Sequence, residues 1–221
     1  MKKIAIIVAG GKGTRMNSEL PKQFMLLKNK PILYYTINSF LKAFNDIEII
    51  LVLPVEHMSN GQEIIDGYFD KSRFRLCEGG RSRFHSVQNG LSLVKEESII
   101  FVHDGVRCLL TSELVKRCFN VAMEFGTAIP AIDSKDSLRL VTSNGNKMIE
   151  RNKVKLIQTP QTFHSKILLP AFNIDYKDKF TDEASVVEAY GLKVHLVEGE
   201  ENNIKITTPF DLQFAENLLL E

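Results

Sequence analysis

The chain opens on Lys3-Ile4-Ala5-Ile6-Ile7-Val8-Ala9, an apolar β-branched run that stops abruptly in Gly10-Gly11-Lys12-Gly13-Thr14-Arg15-Met16, with Pro21-Lys22-Gln23-Phe24 close behind. Few folds accommodate such a junction. Glycines let a backbone turn tightly and bring its N–H groups against a polyanion, while Lys12, Arg15 and Lys22 supply positive charge. The pattern predicts a phosphate cradle after the first strand of an α/β sheet; a merely tight strand-to-helix turn would leave the three cations without a purpose. The spacing excludes two familiar loops. A P-loop needs a glycine, four residues and then Gly-Lys-Ser/Thr, and a dinucleotide fingerprint needs Gly or Ala where Met16 stands.

Downstream, Pro31 precedes Leu33, Ile37, Phe40, Leu41 and Phe44 at helical spacing, with proline in the first turn. Residues 47–53 form a nearly continuous apolar run, as expected of a strand covered on both faces. A short helix at 64–69, a strand at 74–77 and a buried strand at 99–102 follow. Thr111 and Ser112 are N-cap candidates for a helix presenting Leu114, Cys118, Val121, Ala122 and Phe125, stopped by Gly126 ahead of a strand at 127–132. This alternation predicts a mostly parallel, doubly wound, Rossmann-like sheet. The pattern then changes. Segments 137–141 and 154–157 alternate apolar residues with Arg and Lys around Ser143-Asn144-Gly145-Asn146, a turn signal. They read as the two strands of an arm, and an isolated ribbon is marginal in water, so an extended arm implies a second subunit; an ordinary surface hairpin is the alternative. A strand at 194–197 and a helix opened by Thr208-Pro209 and running through Leu220 close the chain.

With a net charge of +1 over 221 residues and no polybasic run, neither nucleic acid nor an anionic membrane is expected as a partner. The apolar run behind Met1-Lys2-Lys3 is too short for a signal peptide's hydrophobic region, and the three cysteines contain no Cys-x-x-Cys, so a reduced, cytoplasmic setting is expected without a zinc site.

Ligands of open α/β sheets sit beyond the carboxyl ends of the strands, where the remaining polar clusters fall. These are Gly79-Gly80-Arg81-Ser82-Arg83-Phe84-His85-Ser86-Val87, then His103-Asp104-Gly105-Val106-Arg107, and finally Lys205. A carboxylate at a strand end beside a phosphate cradle suits Mg²⁺, which makes Asp104 the metal candidate; a loop cap or a salt bridge to Arg107 is the alternative. His103 reads as packed rather than ligating. Ser86 lacks the Gly-x-Ser-x-Gly elbow of a nucleophile.

Together with Gln158-Thr159-Pro160-Gln161, Thr181-Asp182-Glu183-Ala184-Ser185 and Asn203-Ile204-Lys205-Ile206-Thr207, these blocks occur in an order that resembles the 2-C-methyl-D-erythritol 4-phosphate cytidylyltransferases of the non-mevalonate isoprenoid pathway. The resemblance covers nearly the whole chain. It implies one nucleotidyltransferase domain over 1–221 with a protruding β-hairpin arm at about 134–157, working as a homodimer with arm exchange. It implies CTP and a sugar-alcohol phosphate as reactants, Mg²⁺ as cofactor and pyrophosphate as a product. Carried over by position, Arg15, Lys22 and Lys205 are catalytic. Ala9, Gly10, Gly11, Lys12, Gly13, Thr14, Gly80, Ser86, Asp104 and Gly105 bind the nucleotide. Arg107, Ser137, Arg151, Thr159 and Thr181 meet the sugar phosphate, with Arg151 and Thr159 supplied by the partner's arm. The chain departs from the family at Asp104-Gly105-Val106-Arg107-Cys108, where Asp-Ala-Ala-Arg-Pro is usual, and at Asp136-Ser137-Leu138-Arg139, where Asp-Thr-x-Lys is usual. A ribitol 5-phosphate cytidylyltransferase and a non-catalytic nucleotide-binding module are the alternatives.

Overall fold

Strand β1 (Lys2–Val8) lies at the centre of the main sheet because Ile4, Ala5, Ile6 and Ile7 are all buried, so both of its faces need cover. The fold is seen in a computed structural model that describes residues 1–11 and 20–219. After β1 come a small ribbon, β2 (Leu26–Leu27) with β3 (Lys30–Pro31), then α1 (Ile32–Ala43), β4 (Ile47–Leu53), α2 (Met58–Tyr68), β5 (Phe74–Glu78) and α3 (Arg83–Ser92). The chain continues through β6 (Ser98–Asp104), α4 (Ser112–Phe125) and β7 (Thr127–Asp133). Strands β5, β4, β1 and β6 are parallel neighbours in that order. Registers Val8↔Val52 and Val8↔Asp104 align the carboxyl ends of β1, β4 and β6, which is how the fold brings Asp104 beside the first loop.

Alternation along β1 sorts the helices. Ala5 and Ile7 pack with Leu33, Ile37 and Phe40 of α1 and with Leu114 and Cys118 of α4 on one face. Ile4 and Ile6 pack with Val87 and Leu91 of α3 on the other. The Thr111 hydroxyl accepts from the Leu114 N–H to cap α4, and Gly126, at φ 82°, ends it in the left-handed conformation. Helix α2 starts earlier than the expected 64–69, its polar first turns being invisible to an apolar pattern, and Gly61 lets it press close to Leu53 of β4.

Beyond β7 the chain forms β8 (Leu138–Thr142), β9 (Gly145–Ile149), β10 (Lys155–Ile157), β11 (Gln161–His164), α5 (Ser165–Ala171), α6 (Glu183–Ala189), β12 (Leu196–Glu198) and α7 (Pro209–Leu218). Strand β11 inserts antiparallel between β6 and β7, and β10 and β12 both pair with β7, which completes an eight-stranded, mostly parallel sheet. The expected arm is corrected in one respect. Its second strand is β9, and 155–157 belongs to the main sheet. A two-residue turn at Ser143-Asn144 demands a partner strand starting at Gly145, and the polar Gly-Asn-Lys of β9 hid it from an apolar pattern. Strands β8 and β9 form a separate two-stranded sheet with Val141 79% and Met148 68% exposed. Helix α7 is opened by a Thr208–Asp211 capping box and Pro209, and covers Ile206 and Val106 through Ala215.

Candidate active site

A cavity of about 460 Å³ opens beyond the carboxyl ends of β1, β4, β5 and β6. Gly10 and Gly11 line it from the first loop, Gly80 and Ser86 from the second; Lys22, Arg81, Arg83 and Lys205 give it positive charge, and Glu56, Glu78 and Asp104 negative charge. A second cavity of about 250 Å³ adjoins it, lined by Arg107, Gln158, Thr159, Thr181 and Asp182. Arg83, Asp104 and Lys205 line both cavities and so mark their junction.

Asp104 is the electrostatic centre. Its Oδ1 accepts from Arg83 Nε at 3.3 Å; its Oδ2 lies 3.0 Å from Lys205 Nζ and 3.5 Å from Arg107 Nε. Burial by itself would raise this carboxyl's pKa, but Arg83, Lys205 and Arg107 together hold it well below the usual carboxylate range. Asp104 is therefore ionised across the physiological range and anchors three cations that would otherwise repel one another. Arg107 is held from behind as well, where Nη1 donates to the Asn203 carbonyl at 2.7 Å.

The flanking groups are fixed by backbone. Lys22 is buried in the short turn after Pro21, and its Nζ donates to the Ile206 carbonyl at 2.8 Å. The Ile206 N–H in turn donates to the Val106 carbonyl, so Lys22 and Lys205 are set against the same stretch. In the second loop the Ser82 hydroxyl caps α3, while Ser86 Oγ accepts from the Gly80 N–H at 3.0 Å and donates to the Ser82 carbonyl. A Cβ on Gly80 would stand 2.4 Å from that of His85, so the close approach of loop to helix requires glycine there.

His103 is wholly buried, and burial pushes it down to about 3, so it is neutral. Its Nε2 faces the Arg107 carbonyl at 3.4 Å and therefore carries the proton; Nδ1 then accepts from the Thr159 hydroxyl at 2.8 Å. Thr159 Oγ1 accepts in turn from the Asp104 N–H. This relay fixes Thr159, Asp104 and Arg107 relative to one another. Burial also pushes Cys108 and Cys118 up to about 12, which leaves them as packing residues.

Among the residues expected from sequence, Gly10, Gly11, Lys22, Gly80, Ser86, Asp104 and Lys205 converge on the first cavity, and Arg107, Thr159 and Thr181 on the second. Ala9 and Gly105 sit behind the first cavity: the Gly105 N–H donates to the Val8 carbonyl, and a Cβ there would meet Ala9 at 2.8 Å. Thr159 is corrected from the partner's arm to the body of its own chain, because the strand before it is β10 of the main sheet. Ser137 and Arg151 are exposed at the base of the arm and line neither cavity. Lys12, Gly13, Thr14 and Arg15 lie outside the described residues. Sequence reasoning missed Arg83 and Glu183 as site residues, although each sits inside a block it singled out. Their ion pair joins positions 100 residues apart, a relation local patterns do not carry.

Among the described residues no three His, Cys, Asp or Glu side chains converge to hold a metal ion, and no helix is long and apolar enough to cross a membrane.

A Rossmann-like sheet with glycine loops and convergent cations at its carboxyl edge suits a nucleotide's phosphates, and the family match below makes the chain a nucleotidyltransferase. The comparisons narrow the class. A family model described as IspD: 2-C-methyl-D-erythritol 4-phosphate cytidylyltransferase matches residues 3–221, and the chain belongs to that family. Proteins of that description from Bacteroides thetaiotaomicron and Bacteroides fragilis are each 45% identical over 219 residues, spanning 99% of this chain and 100% of theirs. The crystal structure of the 4-diphosphocytidyl-2C-methyl-D-erythritol synthase from Anaerococcus prevotii superposes with a TM-score of 0.84 at 29% identity, covering 100% of this chain and 99% of that one. The family's reaction is CTP-dependent cytidylyl transfer to 2-C-methyl-D-erythritol 4-phosphate, and this chain is an enzyme of that reaction. Of the acceptors weighed from sequence, methylerythritol phosphate is the one the family names.

Proposed function

We propose that the two cavities divide this reaction, CTP lying in the first and the sugar phosphate in the second, with transfer at their junction. The observation that carries the reading is the sharing of Arg83, Asp104 and Lys205 by both cavities, since groups common to two pockets face the bond exchanged between them. The acceptor is already a phosphate anion and needs little general-base help. What the reaction needs is proximity and fixed positive charge where negative charge develops at the α-phosphorus. Lys205 supplies it at the junction, Lys22 supplies it on the triphosphate side together with Arg15, and Arg107 and Thr181 orient the acceptor.

Asp104, the carboxylate both cavities share, would take a magnesium ion carried in on the nucleotide in exchange for the half-exposed Lys205 ammonium, which lies 3.0 Å from its Oδ2. Such an ion takes one or two carboxylates and fills its shell with phosphate oxygens and water, so a single ionised carboxylate suffices where the described residues form no cage of three His, Cys, Asp or Glu. When bound it supplies charge neutralisation on the phosphates. Residues 1–221 act as one domain whose arm docks on a second copy, bringing Ser137 and Arg151 to the partner's second cavity, and the dimer works in the cytoplasm.

The test is pyrophosphate release with CTP, Mg²⁺ and either methylerythritol 4-phosphate or ribitol 5-phosphate. Release is expected with the first acceptor and is lowered by about 10²–10³ in Lys205→Ala, the scale of one lost oxyanion donor. An unchanged rate in that variant would remove Lys205 from the junction.

A further inference from the structure

Arg83 presents a puzzle at the junction. A guanidinium beside two phosphate sites is well shaped to grip a phosphate through two parallel N–H bonds. Here its fork is already taken. Nη1 pairs with one Glu183 carboxylate oxygen, Nη2 donates to the other at 3.2 Å, and Nε is given to Asp104. Glu183 is 1% exposed whereas the Arg83 side chain is 26% exposed and reaches both cavities, so the carboxylate approaches from the protein side and the guanidinium stands between it and the substrates.

Glu183 is itself rigidly held. It opens α6, whose cap Asp182 accepts from the Ser185 N–H. Gln161 of β11 grips the same turn twice, donating to Asp182 at 2.9 Å and accepting from the Ala184 N–H at 2.8 Å. A line of contacts therefore runs from the main sheet through Gln161 and the start of α6 to Glu183, Arg83 and Asp104. The charges at its end are three cations, Arg83, Arg107 and Lys205, against two carboxylates, Asp104 and Glu183.

We propose that Glu183 is a positioning residue: it holds Arg83 on Asp104 and away from the phosphates, so that Lys205 meets the reacting group. A released Arg83 would bind substrate and product phosphates more tightly in the ground state, and binding that is not stronger in the transition state does not raise kcat. The inference rests on the two-cavity reading above.

The experiment compares wild type, Glu183→Gln and the neutral pair Arg83→Gln/Glu183→Gln in steady-state kinetics and in calorimetric titration with inorganic pyrophosphate. Glu183→Gln is expected to lose about tenfold in kcat while binding pyrophosphate at least about threefold more tightly, the split expected when ground-state binding is gained at the expense of turnover. In the double variant, which has no guanidinium to release, the extra affinity disappears. Unchanged kinetics in a folded Glu183→Gln, affinity lost in step with kcat, or extra affinity persisting in the double variant would each overturn the proposal. Should Glu183→Gln fail to fold, Arg83→Lys serves instead, because a point charge cannot satisfy Glu183 and Asp104 together. Lower kcat with unchanged or tighter pyrophosphate binding supports the clamp there, and proportional loss of both overturns it. Wild-type transfer and its loss in Lys205→Ala report separately on the two-cavity reading.

Discussion

The floor of the junction and the β8–β9 arm are both rich in charged residues, yet they are built in opposite ways. At the junction each charge is met by a buried counterpart or a backbone carbonyl: Asp104 by three cations, Arg83 by Glu183, Lys22 by Ile206. In the arm, Val141 and Met148 face solvent, and at its base the Arg151 side chain has a single described hydrogen bond, to the Lys135 carbonyl at 3.1 Å. The junction is thus organised by its own chain, whereas the arm carries apolar surface that an isolated two-stranded ribbon does not bury. Preorganised electrostatics belongs to the first region, and the association proposed above to the second.

Several substitutions can break this contrast. After Lys205→Ala, the largest effect is expected from Arg151→Ala, about 10- to 100-fold in kcat/KM for the sugar phosphate, the range for one charge-assisted hydrogen bond. Mixing the two impaired variants sharpens the point. If the arm serves the partner's site, mixed dimers contain one intact site and activity returns to about a quarter of wild type. No recovery on mixing would return the arm to its own chain.

Stability separates the regions next. Gly126→Ala forces a side chain into a left-handed position and against Ile167 at 2.6 Å, so urea melts should show a loss of at least about 1–2 kcal/mol. Val141→Ser in the arm should stay within about 0.5 kcal/mol for the folded chain while weakening the dimer in light scattering. Equal losses at the two positions would erase the distinction.

A further effect is in pH. His103 is held near 3 in the folded protein against about 6.5 unfolded, so the unfolded chain binds the extra proton and stability falls as pH drops through this window. Unfolding free energy should decline by up to about 1.4 kcal/mol per pH unit below 6.5. Asp104, with its lowered pKa, adds to the loss below about pH 4. A His103→Gln variant should show a flatter slope between pH 6.5 and 5; an identical slope would assign the effect elsewhere.

Much of this architecture is legible in the sequence because its signals are local. The run Ile47–Leu53 is the strand its composition announces, and Thr111, Gly126 and Thr208-Pro209 bound their helices as capping chemistry requires. Asp104 stands out as a charge at a strand end, whereas Lys205 lies in the irregular segment between β12 and α7. What escapes is pairing at a distance. Strand β10 has the same alternation as an arm strand, and the short turn at Ser143-Asn144 decides which segment joins β8. Glu183 looks like a helix-opening acid and becomes an Arg83 partner once β11 has positioned α6.

The bond from Lys22 to the Ile206 carbonyl spans 184 positions and has a consequence for how the enzyme comes into being. A nascent chain that has emerged as far as residue 180 already contains the central strands, but it has no residue 206 to seat Lys22 and no Lys205 to face Asp104. The central parallel strands thus emerge well before the charges proposed for the junction are assembled, and β12, α7 and the seat of Lys22 on Ile206 arrive last in synthesis.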